Sequence, residues 1–299
     1  MDAGRMLEPE KSYGKAWKYY EDSFEQVGDI RTRYWSEGEG DPTLLLIHGY
    51  GAAVEEWAWN IAAFSARYKV VALDIPGFGL ADKPEAPYTY EFFADFVDAF
   101  MEARGISRAH VMGHSMGGAI ALNLALRHPE RARSLTLVAP AFGRIFPFAM
   151  RLATLRGVGE FLLRPPAAPK DIVAAFGALT HAKMRWADIT LERFFHFRQE
   201  AGYAAASLKY LRNYLNIFGL RPAARELEAF YEKAIPDLAA PTFLVWGPQD
   251  RVVSFSASAE LRTLLPAVEF WSPDPCGHCP NFEYPEEFNA RALDFLARH

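Results

Sequence analysis

Short, nearly uninterrupted apolar runs recur along the chain, separated by longer stretches with apolar residues three and four positions apart. Thr43–Ile47, Lys69–Leu73, Ala109–Met112, Ser134–Val138 and Thr242–Trp246 are short, near-continuous apolar runs rich in β-branched residues. Such runs predict strands covered on both faces. Tyr90–Ala103, Ser115–Arg127, Ser256–Leu265 and Glu286–Ala297 predict helices, the last with Phe288, Ala292, Leu293 and Leu296 along one side. Strand alternating with helix predicts βαβ units and a mostly parallel sheet, an α/β fold. Glu21–Gln26 and Ile30–Trp35 predict an antiparallel start that turns near Val27–Asp29.

The alternation stops after Pro140 and resumes at Pro241. The stretch between has helical character and no obvious strand, is punctuated by Pro165, Pro166 and Pro222, and carries Trp186, Phe194, Phe195, Phe197, Tyr203, Tyr210, Tyr214 and Phe218. A structureless loop of that length does not suit a compact domain. Residues 141–235 are therefore expected to form a helical cap inserted into a core of residues 1–140 and 236–299. The aromatics are expected to pack as cap core more than as ligand wall. Charge agrees with the division: residues 141–235 hold 14 Lys and Arg against 8 Asp and Glu, and the rest holds 18 against 29.

With 299 residues, 51% hydrophobic and 23% charged, the composition is that of a globular chain. The net charge of −5 and the lack of a Lys/Arg cluster argue against nucleic-acid binding. No run of eighteen apolar residues exists, so no membrane span is expected. Met1–Lys18 lacks the apolar stretch of a secretory signal, and two cysteines make no disulfide framework. A cytoplasmic location and a monomer or homodimer are expected.

Gly113-His114-Ser115-Met116-Gly117 follows one of the apolar strands and opens a helix rich in small residues. The five-residue pattern alone arises by chance in about one chain in ten of this length. Its place between strand and helix makes it specific, because a tight turn there strains the serine, thrusts Oγ out at the C-terminal sheet edge, and needs small neighbours. A serine hydroxyl needs a base. His278, in Cys276-Gly277-His278-Cys279-Pro280, lies in a loop between strand Val268–Trp271 and the last helix. His110 lies inside a strand, His128 closes a helix, and His181 and His196 fall in the expected cap. His114 is expected to point away from Ser115. The imidazole needs an acid to fix its tautomer. Asp250 follows a strand end and belongs on the same sheet edge, whereas Asp237 precedes that strand and Asp274 sits in a proline-flanked turn. Backbone N–H groups of Met116 and Tyr50 are the expected oxyanion donors, with Gly51 as a register alternative and His48 as a brace for that loop. Cys276 and Cys279 are spaced as in a metal or redox site, but a metal on His278 would remove the base. Both are read as small apolar fillers, and no metal or cofactor is expected.

These stretches resemble the α/β-hydrolase superfamily: LLLIHGYG at 44–51, DIPGFGLAD at 74–82, GHSMGG at 113–118, WGPQDRVV at 246–253 and GHCPNFEYPEEF at 277–288. The resemblance spans residues 21–299. It implies an α/β-hydrolase fold with a mostly parallel eight-stranded sheet flanked by helices, a helical cap over the site, and Ser115, Asp250 and His278 as a triad. Asp74–Gly79 is read as a structural turn. The expected reaction is hydrolysis of a small or medium carboxylic ester or related acyl substrate through an acyl-enzyme. The alternatives are carbon–carbon hydrolysis of meta-cleavage-type diketone acids, lactonase or perhydrolase activity, and a ligand receptor built on a hydrolase fold. Against the first, the Gly/Pro-rich and Asn-Trp signature associated with such enzymes is absent after His48-Gly49, where this chain reads Tyr50-Gly51-Ala52-Ala53.

Overall fold

The computed structural model describes residues 20–142, 148–165, 168, 171, 180–181, 188–216 and 218–299. Met1–Lys18, Pro166 and Trp186, weighed above, lie outside the described residues. Strands β1 (Ser23–Val27), β2 (Ile30–Glu37), β3 (Thr43–Ile47), β4 (Lys69–Leu73), β5 (Ala109–His114) and β6 (Ala132–Val138) precede a small hairpin, β7 (Leu215–Asn216) with β8 (Gly219–Leu220). Strands β9 (Thr242–Val245) and β10 (Val268–Trp271) follow it. The main sheet has eight strands in the order β1-β2-β4-β3-β5-β6-β9-β10. Strand β2 pairs antiparallel with both neighbours, and every pair beyond β4 is parallel.

Both faces of the sheet are covered, as the unbroken apolar runs require. Leu45, Ile47, Val71, Leu73 and Val111 pack into one core with the helices Tyr90–Ala103 and Met116–Arg127. Their alternates Leu44, Leu46, Val70, Ala72 and Met112 pack into a second with Trp57, Phe64 and the helix Pro285–Ala297. That helix turns Phe288, Ala292 and Leu296 inward as expected and adds Phe295.

Helices Phe148–Leu152, Val158–Leu162, Asp188–Gln199, Tyr203–Tyr214 and Pro222–Ala234 lie between β6 and β9. The hairpin β7–β8 also lies there, although the sequence shows no strand in that stretch. Two residues a side are too few to print a period-2 pattern. Ser115 is not part of the helix predicted from it; it caps the helix that starts at Met116.

The chain visits β4 on one side of β3 and then crosses to β5 on the other, so the connections diverge at the β3/β5 boundary. A crevice opens beyond the strand ends at such a point, and ligands bind there. Strands β3, β5, β9 and β10 run parallel. The segments that follow Ile47, His114, Val245 and Trp271 therefore emerge on one edge.

Candidate active site

Ser115 follows β5 directly. Its backbone sits at φ 52° and ψ −116°, a conformation that costs a non-glycine residue about 1–3 kcal/mol. The turn is held by Ser115 N–H donating to Val138 O at 2.9 Å and by Ala141 N–H donating to Ser115 O at 2.9 Å. Small neighbours are obligatory here. A Cβ on Gly113 would lie 2.1 Å from Gly117 O, and one on Gly117 would lie 2.2 Å from Ile47 O.

His278 reaches the serine from the loop after β10. Its Nε2 is 2.9 Å from Ser115 Oγ, and its Nδ1 is 2.7 Å from Asp250 Oδ2. A carboxylate only accepts, so Nδ1 carries the hydrogen and Nε2 is left to accept from the serine hydroxyl. Asp250 is fixed in turn: Oδ1 accepts the N–H groups of Val252 at 2.8 Å and Val253 at 3.0 Å. The Asp250 and His278 loops are joined by Gln249, whose Oε1 accepts Cys276 N–H at 2.6 Å and whose Nε2 donates to Asp274 at 2.8 Å. Glu283 accepts Gly277 N–H at 2.9 Å and closes the His278 loop.

Tyr50 and Met116 line the same cavity as Ser115 and His278; Gly51 is not among its lining residues. Gly49 N–H donates to Glu56 Oε2 at 2.6 Å, so the next amide along the loop is that of Tyr50. His48 braces the loop as expected: Ile75 N–H donates to its Nε2 at 3.0 Å. Asp74 is structural, accepting from Arg33 Nε, Val54 N–H and Leu80 N–H at 2.8–2.9 Å.

The placement of His114 corrects the sequence reading in part. Its ring does not bond Ser115, but it does not leave the site either. It packs against the His278 ring, with centroids 4.8 Å apart, and touches the Glu56 carboxylate. Burial disfavours charge on both groups, yet each overrides it for the other: Glu56 holds His114 above the usual imidazole range, and His114 holds Glu56 below the usual carboxylate range. Nothing in the spacing of Glu55-Glu56-Trp57 announces this pair. The one signal is that two acids stand next to apolar Val54 and Trp57 in a stretch that is wholly buried. Cys276 and Cys279 are buried, and burial pushes both thiols up, so they stay protonated. His181 and His196 are exposed and do not line the cavity.

The cavity above Ser115 has a volume of about 550 Å³. Its wall is largely apolar, and much of it comes from between β6 and β9, including Met150, Ala153, Leu211 and Leu227. Among the aromatics assigned to packing, Phe194, Tyr210 and Tyr214 form wall as well. Tyr210 meets Tyr90 at 2.6 Å through their hydroxyls, and its ring stacks on Tyr50 at 5.5 Å. Burial raises the Tyr50, Tyr90 and Tyr210 phenols well above their usual range, so they remain neutral.

A family model described as alpha/beta hydrolase fold matches residues 42–285. The chain is 31% identical over 268 residues to a dihydrolipoyllysine-residue acetyltransferase component of an acetoin cleaving system from Cupriavidus necator, covering 89% of this chain and 67% of that one. It is 28% identical over 288 residues to a 2-hydroxy-6-oxononadienedioate/2-hydroxy-6-oxononatrienedioate hydrolase from Paraburkholderia phymatum, covering 90% and 92%. Among solved structures, a bacterial membrane phospholipase A superposes with a TM-score of 0.72 at 32% identity, covering 93% of this chain and 86% of that one. A variant of a meta-cleavage product hydrolase superposes with a TM-score of 0.76 at 25% identity, covering 93% and 98%.

Proposed function

The match over residues 42–285 makes the chain a member of the alpha/beta hydrolase fold family, a hydrolase by kinship, and on that premise we propose that it cleaves carbonyl compounds through an acyl-enzyme on Ser115. The observation that carries this reading is the relay Asp250–His278–Ser115, with spacings of 2.7 and 2.9 Å, beside a largely apolar cavity. His278 takes the Ser115 proton as Oγ attacks the carbonyl carbon. The amides of Tyr50 and Met116 stabilise the oxyanion. As the tetrahedral intermediate collapses, His278 delivers the proton to the leaving group, then activates water to release the acid. Asp250 holds the tautomer and stabilises the transient imidazolium. Residues 141–235 act in this reading as a cap over the core formed by 1–140 and 236–299, since side chains from that stretch line the cavity.

For the bond broken, the relatives' names favour carbon–carbon hydrolysis of a diketone acid over the ester expected from sequence, and we place that reading first. The leaving carbon then takes the proton from His278 while an adjoining carbonyl delocalises its electron pair. Ester hydrolysis is the second reading, favoured by charge. Among the described residues the cavity wall holds Glu56, Glu228, Glu232 and Glu260 against Arg198 and the site histidines, which suits a neutral apolar ester better than a substrate bearing carboxylates. The likeness to the phospholipase points the same way.

The test is twofold. Wild-type protein is expected to be labelled by a fluorophosphonate and Ser115→Ala is not; a labelled and active alanine variant overturns the nucleophile. Turnover of 2-hydroxy-6-oxononadienedioate compared with p-nitrophenyl butyrate then assigns the bond. Tight binding without multiple turnover on either would instead favour a receptor.

A further inference from the structure

Behind the relay lies a set of contacts to which the proposed reaction gives no part. Glu56 is 3% exposed and belongs to the segment after β3. One of its carboxylate oxygens accepts Gly49 N–H at 2.6 Å, and the other contacts His114 Nδ1. His114 Nε2 donates to the backbone carbonyl of His278 at 2.9 Å. Gly49 precedes Tyr50, His114 precedes Ser115, and His278 is the base. A single buried carboxylate thus ties together the loops leaving β3, β5 and β10, which are separated by 164 positions between His114 and His278 alone.

Hydrogen bonds do here what packing does not. An apolar pair of the same volume would fill the space but leave the peptide of Gly49 and the carbonyl of His278 free to rotate. A buried carboxylate and imidazole are costly unless they are paired, and the hydrogen bonds that end on Gly49 N–H and on His278 O fix direction as well as distance. Displacing a reacting group by 1 Å is enough to cost about a hundredfold in rate. We infer that Glu56, acting through His114, is a positioning residue that sets the oxyanion loop and the His278 loop against Ser115. The inference rests on the reading of Ser115 as nucleophile. The other titratable groups facing the pair are His48 and Cys279 against Glu56, and Asp250 against His114.

The measurement is the second-order rate at which a fluorophosphonate labels Ser115, counted per folded molecule by circular dichroism and gel filtration. It uses the nucleophile, base and oxyanion donors without requiring the natural substrate. Glu56→Ala is expected to label at least about tenfold more slowly. Glu56→Gln keeps an oxygen for Gly49 N–H and offers an NH2 to a neutral His114 Nδ1, so it is expected to stay within about threefold of wild type. A role confined to stability would lower the melting temperature of both while leaving the rate per folded molecule unchanged, and that result overturns the inference. Should Glu56→Ala not fold, His114→Leu and His114→Gln take its place. Slow labelling by the first and recovery by the second are expected, because only glutamine retains a donor for His278 O; equal, wild-type rates refute the idea. Wild-type protein that fails to label removes the nucleophile and this inference together. Loss of labelling in Ser115→Ala with none in the Glu56 or His114 variants removes this inference alone.

Discussion

At the scale of single residues, Asp250 gives the sharpest expectation. Its carboxylate is held by two backbone N–H groups and faces Nδ1 of His278. Asp250→Asn preserves the volume but can turn an NH2 toward that nitrogen and reverse the tautomer. A fall in kcat of about 10⁴-fold is expected, with KM little changed and the fold intact; steady-state kinetics read the loss, and an unchanged circular dichroism spectrum and melting temperature separate it from misfolding. The sequence carried Ser115, His278 and Asp250 because each stands next to a local signal: glycines around a serine, a histidine in a loop after a strand, an acid just past a strand end. Glu56, His114 and Gln249 carry no such mark. Their work is to join loops distant in sequence, and a contact between positions 56 and 114 leaves no periodicity in either neighbourhood.

At the scale of elements, the strands were legible because burial on both faces removes polar alternation, and predicted and observed ends differ by a residue or two. The Tyr90–Ala103 helix was legible at both ends. Thr89 stands before it in an extended conformation, and its side chain accepts Phe92 N–H at 3.2 Å. Thr89→Ala leaves that N–H to water and is expected to cost about 1 kcal/mol, read as a shift in urea midpoint at unchanged slope. What remained hidden was short: the hairpin β7–β8, the turn of helix at Val54–Trp57, and the helix Pro280–Glu283. Each strand of the hairpin has two residues and each of the two helical turns four, less than a pattern needs to repeat. Buried charge was hidden for a different reason. Arg33 reads as one polar position in β2, yet it is fully buried between Asp74 and Glu55. It is also linked through Asp22 to Arg193 on the Asp188–Gln199 helix. Only the assembled molecule brings those partners together.

At the scale of the whole molecule, acid sensitivity follows from a histidine far from the relay in role. His110 lies in the centre of the sheet against Ser134 Oγ, 2.7 Å away, and burial, aided by Arg133, lowers its pKa from 6.5 to about 4. The unfolded chain therefore binds a proton between pH 6.5 and 4 that the folded chain refuses. Its contribution to stability is complete above pH 6.5 and is lost as pH falls toward 4. Denaturation curves at pH 7.5 and pH 5 are expected to differ less for His110→Gln than for wild type; an equal difference refutes the assignment. The two thiols beside His278 lead to a practical consequence. Because Cys276 and Cys279 are buried and held in the neutral form, soft electrophiles such as maleimides meet no sulfur anion beside His278. Maleimide treatment is therefore expected to leave the rate of fluorophosphonate labelling unchanged; a loss of labelling would show that a thiol at this edge is reactive.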